Sequence, residues 1–202
     1  MNRFSAIVLA SLALTHTSVA LGEGSAEAGK AKSAVCAACH GMDGNSINPE
    51  WPSLAGQHAE YIVVQLTAFQ SGERQNVLMT PQAMNLSDED KADLAAYYSS
   101  QSLTPKEADP NLVQRGKSIY IGGDETRGIS ACIACHGPTG SGNPLAKYPA
   151  VAGQYAPYLA GQLRLYANSE RTSDPNQMMR SIASRMTDED IRSVTAYMQG
   201  LR

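Results

Sequence analysis

The stretch Cys36-Ala37-Ala38-Cys39-His40-Gly41 returns 96 residues later as Cys132-Ile133-Ala134-Cys135-His136-Gly137. The matching continues outward from both copies. Pro52-Ser53-Leu54-Ala55-Gly56-Gln57, with Tyr61 and Gln65-Leu66 behind it, returns as Pro149-Ala150-Val151-Ala152-Gly153-Gln154, Tyr158 and Gln162-Leu163, displaced by 97. Glu73-Arg74 matches Glu170-Arg171 at the same displacement. Displaced by 100, Met79 matches Met179, Ser87-Asp88-Glu89-Asp90 matches Thr187-Asp188-Glu189-Asp190, and Tyr97 matches Tyr197. Self-similarity at a nearly fixed period, kept in order, means two homologous units. The polar run from Ser102 to Pro110 holds two prolines and no apolar periodicity, so it reads as their junction. We therefore expect domains at 21–103 and 111–202, joined by a linker at 104–110.

Within each unit the signals are helical. Ser87 and Thr187 are good N-caps, and Asp90 and Asp190 stand three positions on, where the helix dipole favours negative charge. In the second closing helix Ile191, Val194, Met198 and Leu201 share one face. A helix from about Glu27 to Val35 leads into the first Cys-His motif, another runs from about Tyr61 to Gln70, and strand signals are scarce. The expected fold class is all-α.

The CxxCH spacing has its own chemistry. Two thiols at this distance can add across the two vinyl groups of one haem, while the adjacent imidazole reaches the iron. Cys36, Cys39 and His40, and Cys132, Cys135 and His136, would thus hold two covalent haem c groups. All four cysteines of the chain are consumed by the two motifs. Two rivals remain. A thioredoxin-type CxxC belongs in a βαβ context, and a four-ligand zinc site would need both pairs brought together across the repeat.

The ligand on the other face of the iron separates a carrier from an enzyme. Of the eight methionines, only Met79 and Met179 occupy equivalent positions in both units. A methionine at helical spacing is more often core filling than ligand, yet equivalence across two haem-binding repeats favours these two, with Met178 and Met84 behind them. Pro52 lies twelve residues after His40 and Pro149 thirteen after His136. A carbonyl there could accept the hydrogen bond of the other ring nitrogen and orient the imidazole; a plain loop proline is the alternative. Arg74 and Arg171 are a repeat-matched basic pair, either neutralising buried haem propionates or solvated on the surface. His58 pairs with Tyr155 across the repeat, so it reads as a surface residue.

Two CxxCH repeats, each followed by a Pro-x-x-Ala-Gly-Gln segment and a Met before an acidic-capped last helix, resemble the dihaem cytochrome c4 family over essentially the whole mature chain. The resemblance implies two tandem class I cytochrome c domains facing each other across a pseudo-twofold axis, with propionates near the interface and His/Met ligation at both irons. It also implies a periplasmic carrier delivering electrons toward terminal oxidases, often loosely associated with the membrane. Gly29 and Gly116 match the family's glycine where the first helix crosses the last, with Tyr97 and Tyr197 as packing partners. The interval from Gly116 to Cys132 is longer than that from Gly29 to Cys36 and contains Gly122-Gly123, so the helix end there is open.

The first twenty residues have the layout of a signal peptide: Arg3, an apolar run from Phe4 to Leu14, and Ser18-Val19-Ala20 before the expected cleavage. That run is too short to span a bilayer; the layout predicts export with cleavage after Ala20, and the resemblance implies the periplasm as the destination. With one Trp and two Phe, two small cores are thinly supplied with large side chains and would gain from a cofactor. The expected partners are electron donor and acceptor proteins of a respiratory chain, with no nucleic acid and no small-molecule substrate. A dihaem peroxidase, or a haem subunit docked to a dehydrogenase, are the rival functions.

Charge divides unevenly. Residues 21–103 hold ten acidic and four basic side chains, whereas 104–202 hold nine acidic and eleven basic, among them Arg180, Arg185 and Arg192. That asymmetry suggests two ends for two partners.

If each haem completes its own core, replacing Cys132 and Cys135 together by Ala should unfold mainly the C-terminal half. Far-ultraviolet circular dichroism checks this, and an unchanged helical spectrum in the variant lacking its second haem contradicts it.

Overall fold

The computed structural model describes residues 24–202; the expected signal peptide at 1–20 lies outside them. The first half contains α1 (Ala26–Lys32), α2 (Ala34–His40), α3 (Ala59–Ser71), α4 (Met79–Ala83) and α5 (Asp88–Ser99). The second repeats the order as α6 (Val113–Gly122), α7 (Ile133–His136), α8 (Ala156–Ala167), α9 (Met178–Ala183) and α10 (Asp188–Gly200). Two isolated β-bridges are the only extended pairing among the described residues, so the fold is all-α.

The single helix expected up to Val35 is broken in two at Ser33. The Ser33 hydroxyl bonds back to the Lys30 carbonyl at 2.8 Å, and the Cys36 N–H takes the Ser33 carbonyl at 2.9 Å to start a new axis. Ser87 and Thr187 close full capping boxes with Asp90 and Asp190, so α5 and α10 begin where their side chains satisfy otherwise orphaned backbone donors. Asp190 is fully buried and is held by Arg115 at 2.6 Å and by Arg127. Its counterpart Asp90 pairs with Lys32 at 2.7 Å in a more exposed setting.

In each half the first helix packs on the last, and the third helical segment packs beside it: α1 and α3 on α5, α6 and α8 on α10. The N-terminal core joins Ile62, Leu94, Ala95, Tyr97 and Tyr98. The C-terminal core is larger and includes Ile119, Tyr120, Leu163, Tyr166, Val194 and Met198. A size exchange relates the two. Aligned on the crossing glycines, Ser33 corresponds to Tyr120; aligned on the last helices, displaced by 100, Tyr98 corresponds to Met198. A tyrosine enters from the last helix in one half and from the first helix in the other, and each packs against the repeat-matched Tyr97 or Tyr197.

The long Gly116–Cys132 interval resolves into α6 running to Gly122, followed by a compact loop. Its 3-10 turn (Glu125–Arg127) is capped by Asp124, the bridge Asp124–Ile129 closes it, and Ile129 is buried. Arg127 ties this loop to the start of α10 through Asp190, and the Arg185 guanidinium donates to the Gly128 carbonyl at 2.8 Å. The N-terminal half has nothing equivalent.

The helix crossings demand glycine. A Cβ at Gly29 would lie 1.9 Å from the Asp93 carbonyl oxygen and 2.8 Å from the Tyr97 Cβ; at Gly116 it would lie 2.0 Å from the Ser193 oxygen and 2.8 Å from the Tyr197 Cβ. Backbone cannot yield there without parting the helices. Gly29→Ala or Gly116→Ala should therefore cost at least about 1–3 kcal/mol, while Gly161→Ala on α8, facing open space, should gain roughly 0.5–1 kcal/mol. Thermal denaturation of the three variants checks the ranking.

Candidate haem sites

Helix geometry gathers the motif residues. On α2, Cys36, Cys39 and His40 stand at i, i+3 and i+4 and so share a face. In the second half α7 is one turn long, but Cys132 already has helical dihedrals and its carbonyl accepts from the His136 N–H at 2.9 Å, which keeps the same spacing. Both helices stop at a glycine with positive φ, Gly41 at 82° and Gly137 at 76°. At Gly41 a Cβ would also meet the Asn45 carbonyl oxygen at 2.2 Å, so the chain can turn sharply after the histidine only with glycine in place.

Each histidine is buried and placed alike. His40 Nδ1 lies 2.9 Å from the Pro52 carbonyl oxygen, and His136 Nδ1 lies 2.9 Å from the Pro149 carbonyl oxygen. Burial lowers both imidazole pKa values and the proline carbonyls partly offset it, so the rings are neutral at physiological pH. A carbonyl can only accept, so Nδ1 carries the proton and Nε2 is the free lone pair, the form a metal-ligating imidazole requires.

Cys36 and Cys132 lack the stabilised thiolate of a redox dithiol. All four cysteines are free. Burial pushes the Cys36 thiol up and the Cys132 thiol up to about 11, the reverse of the stabilised thiolate on which disulfide exchange depends. Nor are the two CxxC pairs brought together: among the described residues no three His, Cys, Asp or Glu side chains converge as a metal site. Free thiols three residues apart on one helix face, beside a neutral imidazole with one free nitrogen, suit covalent haem attachment.

The methionines separate by environment. Met79 opens α4, half-buried, its N–H donating to Asn76 Oδ1 at 3.0 Å. Met179 packs against the C-terminal core. Met178 instead accepts from the Tyr148 hydroxyl at 3.8 Å, and Met84 is half exposed. The segment before α9 is strained: Asn176 and Gln177 both have positive φ, 53° and 58°, whereas Asn76 and Val77 do not.

Arg74 and Arg171 are buried side chains at the interface between the halves, not solvated ones. Arg74 donates to Gln65 at 2.7 Å within its own half and to Gln162 at 2.8 Å and Tyr158 at 3.2 Å across the interface. Arg171 mirrors it, donating to Gln162 at 2.8 Å, Gln65 at 2.7 Å and Tyr61 at 3.0 Å. Each glutamine oxygen thus serves both guanidiniums. No carboxylate lies within ion-pair distance of either arginine among the described residues. Two buried positive charges with only neutral partners are costly, so this place calls for anionic groups, and haem propionates fit that demand.

A second symmetric pairing was visible in the sequence only as a repeat. Gln57 donates to the Ala150 carbonyl at 2.9 Å and accepts from its N–H at 3.0 Å, and Gln154 does the same with Ser53 at 2.8 and 2.9 Å. Each side-chain amide pairs like a strand with the other half's backbone. His58 is no free surface residue either: its Nε2 lies 2.6 Å from the Ser141 carbonyl across the interface.

Comparison with known proteins agrees with this arrangement. The Cytochrome c family model matches residues 26–102 and again 113–202. The chain is 48% identical over 188 residues to cytochrome c4 of Thiocapsa roseopersicina, covering 92% of this chain and 97% of that one. It superposes on the structure of reduced recombinant cytochrome c4 from Pseudomonas stutzeri with a TM-score of 0.86 at 42% identity, covering 89% of this chain and 100% of that chain. More distantly, it is 37% identical over 172 residues to a thiosulfate dehydrogenase electron acceptor of Stutzerimonas stutzeri, covering 80% of this chain and 76% of that one. With two tandem haem-binding domains that pair across a symmetric interface, the chain belongs to the cytochrome c4 family of dihaem electron carriers and holds two covalently bound haem c groups.

Proposed function

We propose that the protein is an exported, periplasmic carrier of a respiratory chain that passes electrons toward a terminal oxidase. His40 with Met79, and His136 with Met179, are its two axial ligand pairs. Cys36 and Cys39 attach the first haem, Cys132 and Cys135 the second. When bound, each haem supplies a one-electron iron couple. The protein orients each imidazole through Pro52 or Pro149, and it places Arg74 and Arg171 to neutralise the propionates. The observation that carries this reading is the equivalence of the two sites: the same histidine geometry twice, and a methionine at the matching repeat position twice. Sites closed in the same way leave no open coordination position for a peroxidase substrate, and thioether ligation favours the reduced iron relative to a second histidine.

Both haems should then be low-spin. In the oxidised protein the near-infrared sulfur-to-iron band should integrate to two haems, and Met79→Ala should open one iron to carbon monoxide after reduction while the other stays closed. A band worth one haem, or ready binding of carbon monoxide by the reduced wild type, contradicts the ligand assignment.

A second reading concerns the partners. Residues 21–103 are net acidic and 104–202 slightly basic, which suits two docking ends with opposite preferences. The relative named as an electron acceptor for thiosulfate dehydrogenase supports a dehydrogenase as one donor class. All three arginines singled out from the sequence have partners. Arg180 pairs with buried Asp174 at 2.7 Å and Arg185 holds the Gly128 carbonyl, whereas Arg192 is exposed and makes only a surface pair with Asp188 at 3.4 Å. The cleaner test reverses charge at the exposed Lys117, Lys147 and Arg192. Reaction with one partner should slow and lose part of its salt dependence, because steering fields are screened over about 8 Å at physiological salt. Stopped-flow rates that fall equally for both partners, or for neither, sink the two-ended arrangement.

A further inference from the structure

Tyr98 is one of the most deeply buried side chains, at 2% exposure, and its hydroxyl has no hydrogen-bond partner among the described residues. The other core tyrosines near the Cys-His motifs are satisfied: Tyr97 donates to the Met42 carbonyl at 2.7 Å and Tyr120 to the Gly137 carbonyl at 2.6 Å. A buried phenol whose hydrogen bond is not made bears the full cost of its desolvation, so an orphan of this kind calls for a partner.

The surroundings name one. The Tyr98 ring sits on the turn behind His40, where a Cβ at Gly44 would lie 2.8 Å from ring carbon Cδ1. Cys36 packs on the same cluster. The Cys36 thiol and the Ser33 hydroxyl are the polar groups that act on the phenol. Ser33 already spends its proton on the Lys30 carbonyl, so it can meet the phenol only as an acceptor and is the rival to Cys36 in that role. Cys36 changes character when its sulfur joins a haem vinyl group: the S–H is lost and the thioether can only accept. The second half lacks this device, since Met198 stands where Tyr98 does and the Tyr120 hydroxyl is taken by Gly137.

We propose that Tyr98 is a positioning residue for the first haem alone, its hydroxyl donating to the Cys36 thioether sulfur and drawing electron density from that edge of the ring. The consequence is an asymmetry between otherwise matched sites: the bond favours the reduced state of the first haem and has no counterpart at the second. This rests on Cys36 being an attachment point.

The test is Tyr98→Phe in the holoprotein. A pyridine haemochrome spectrum of the wild type first establishes two haems with both thioethers each. A missing thioether at the first haem would overturn the attachment reading and this proposal with it; because it is seen in the wild type, before any substitution, it is distinct from a failure of the Tyr98 bond alone. In a redox titration of the variant, one midpoint should move down and the other stay. The equilibrium share of electrons on the first haem should drop roughly two- to tenfold, the weight of one hydrogen bond. Paramagnetic proton NMR should assign the moved midpoint to the haem attached at Cys36, and the melting temperature should fall. Midpoints that stay put, rise or move together overturn the proposal, including the case in which only the melting temperature falls, which marks a structural bond to Ser33 or water. A rise in melting temperature also overturns it, because it shows that the hydroxyl was unpaired.

Discussion

At Gly29 and Gly116 the first and last helices of each half pass so closely that the carbonyl oxygens of Asp93 and Ser193 occupy the place of a side chain. The other features of a half are arranged around that crossing. It brings the last helix against the segment that carries the Cys-His motif, and it seats Tyr97 and Tyr98, or Tyr120 and Tyr197, as tilted ring pairs with centroids 5.1 and 5.3 Å apart. From there the Tyr97 and Tyr120 hydroxyls reach forward to the turn after each histidine. The histidine, its turn and the proline carbonyl that orients it are thus referenced to one backbone contact.

The interface depends on the repeat in a different way. Its central polar groups are repeat-matched: Gln57 with Gln154, Gln65 with Gln162, Tyr61 with Tyr158, Arg74 with Arg171. A self-complementary surface needs the same residues on both sides, which is the logic of an isologous dimer carried out within one chain. The linker adds its own tie, for Lys106 donates to the Gly153 carbonyl at 2.8 Å and lies over the Tyr155 ring at 4.4 Å. At the centre, two guanidiniums share two glutamine oxygens. A pair of like charges sits there with neutral partners; under the proposed function the propionates of the cofactors complete the site, which would make the contact between the halves and the filling of the haem sites depend on each other.

Symmetry at the interface coexists with asymmetry outside it. The second half has the extra loop held by Arg127 and Arg185, a larger apolar core, a strained turn before Met178 and a basic balance of charge. The first half has a smaller core, an unpaired phenol beside Cys36 and an acidic balance. Two sites with the same cysteine and histidine arrangement are in this way set in different surroundings.

Much of the architecture was legible in the residues. A CxxCH motif carries its chemistry in its spacing, and its return with the same flanking segments announced two helical haem domains, because covalent attachment and helical periodicity are local properties. Matching the two copies also singled out Met79 and Met179, Pro52 and Pro149, and Arg74 and Arg171. What those residues do to one another was not local. The burial of the two arginines, the amide pairing of Gln57 and Gln154 and the orphaned hydroxyl of Tyr98 each depend on groups brought together from about 60 to 110 positions away or on the packing of one helix against another. Sequence by itself determined which groups are present and in what register; only the tertiary structure decided which of them lost their water, and burial without water is what turns a repeated polar residue into an interface or a demand for a cofactor.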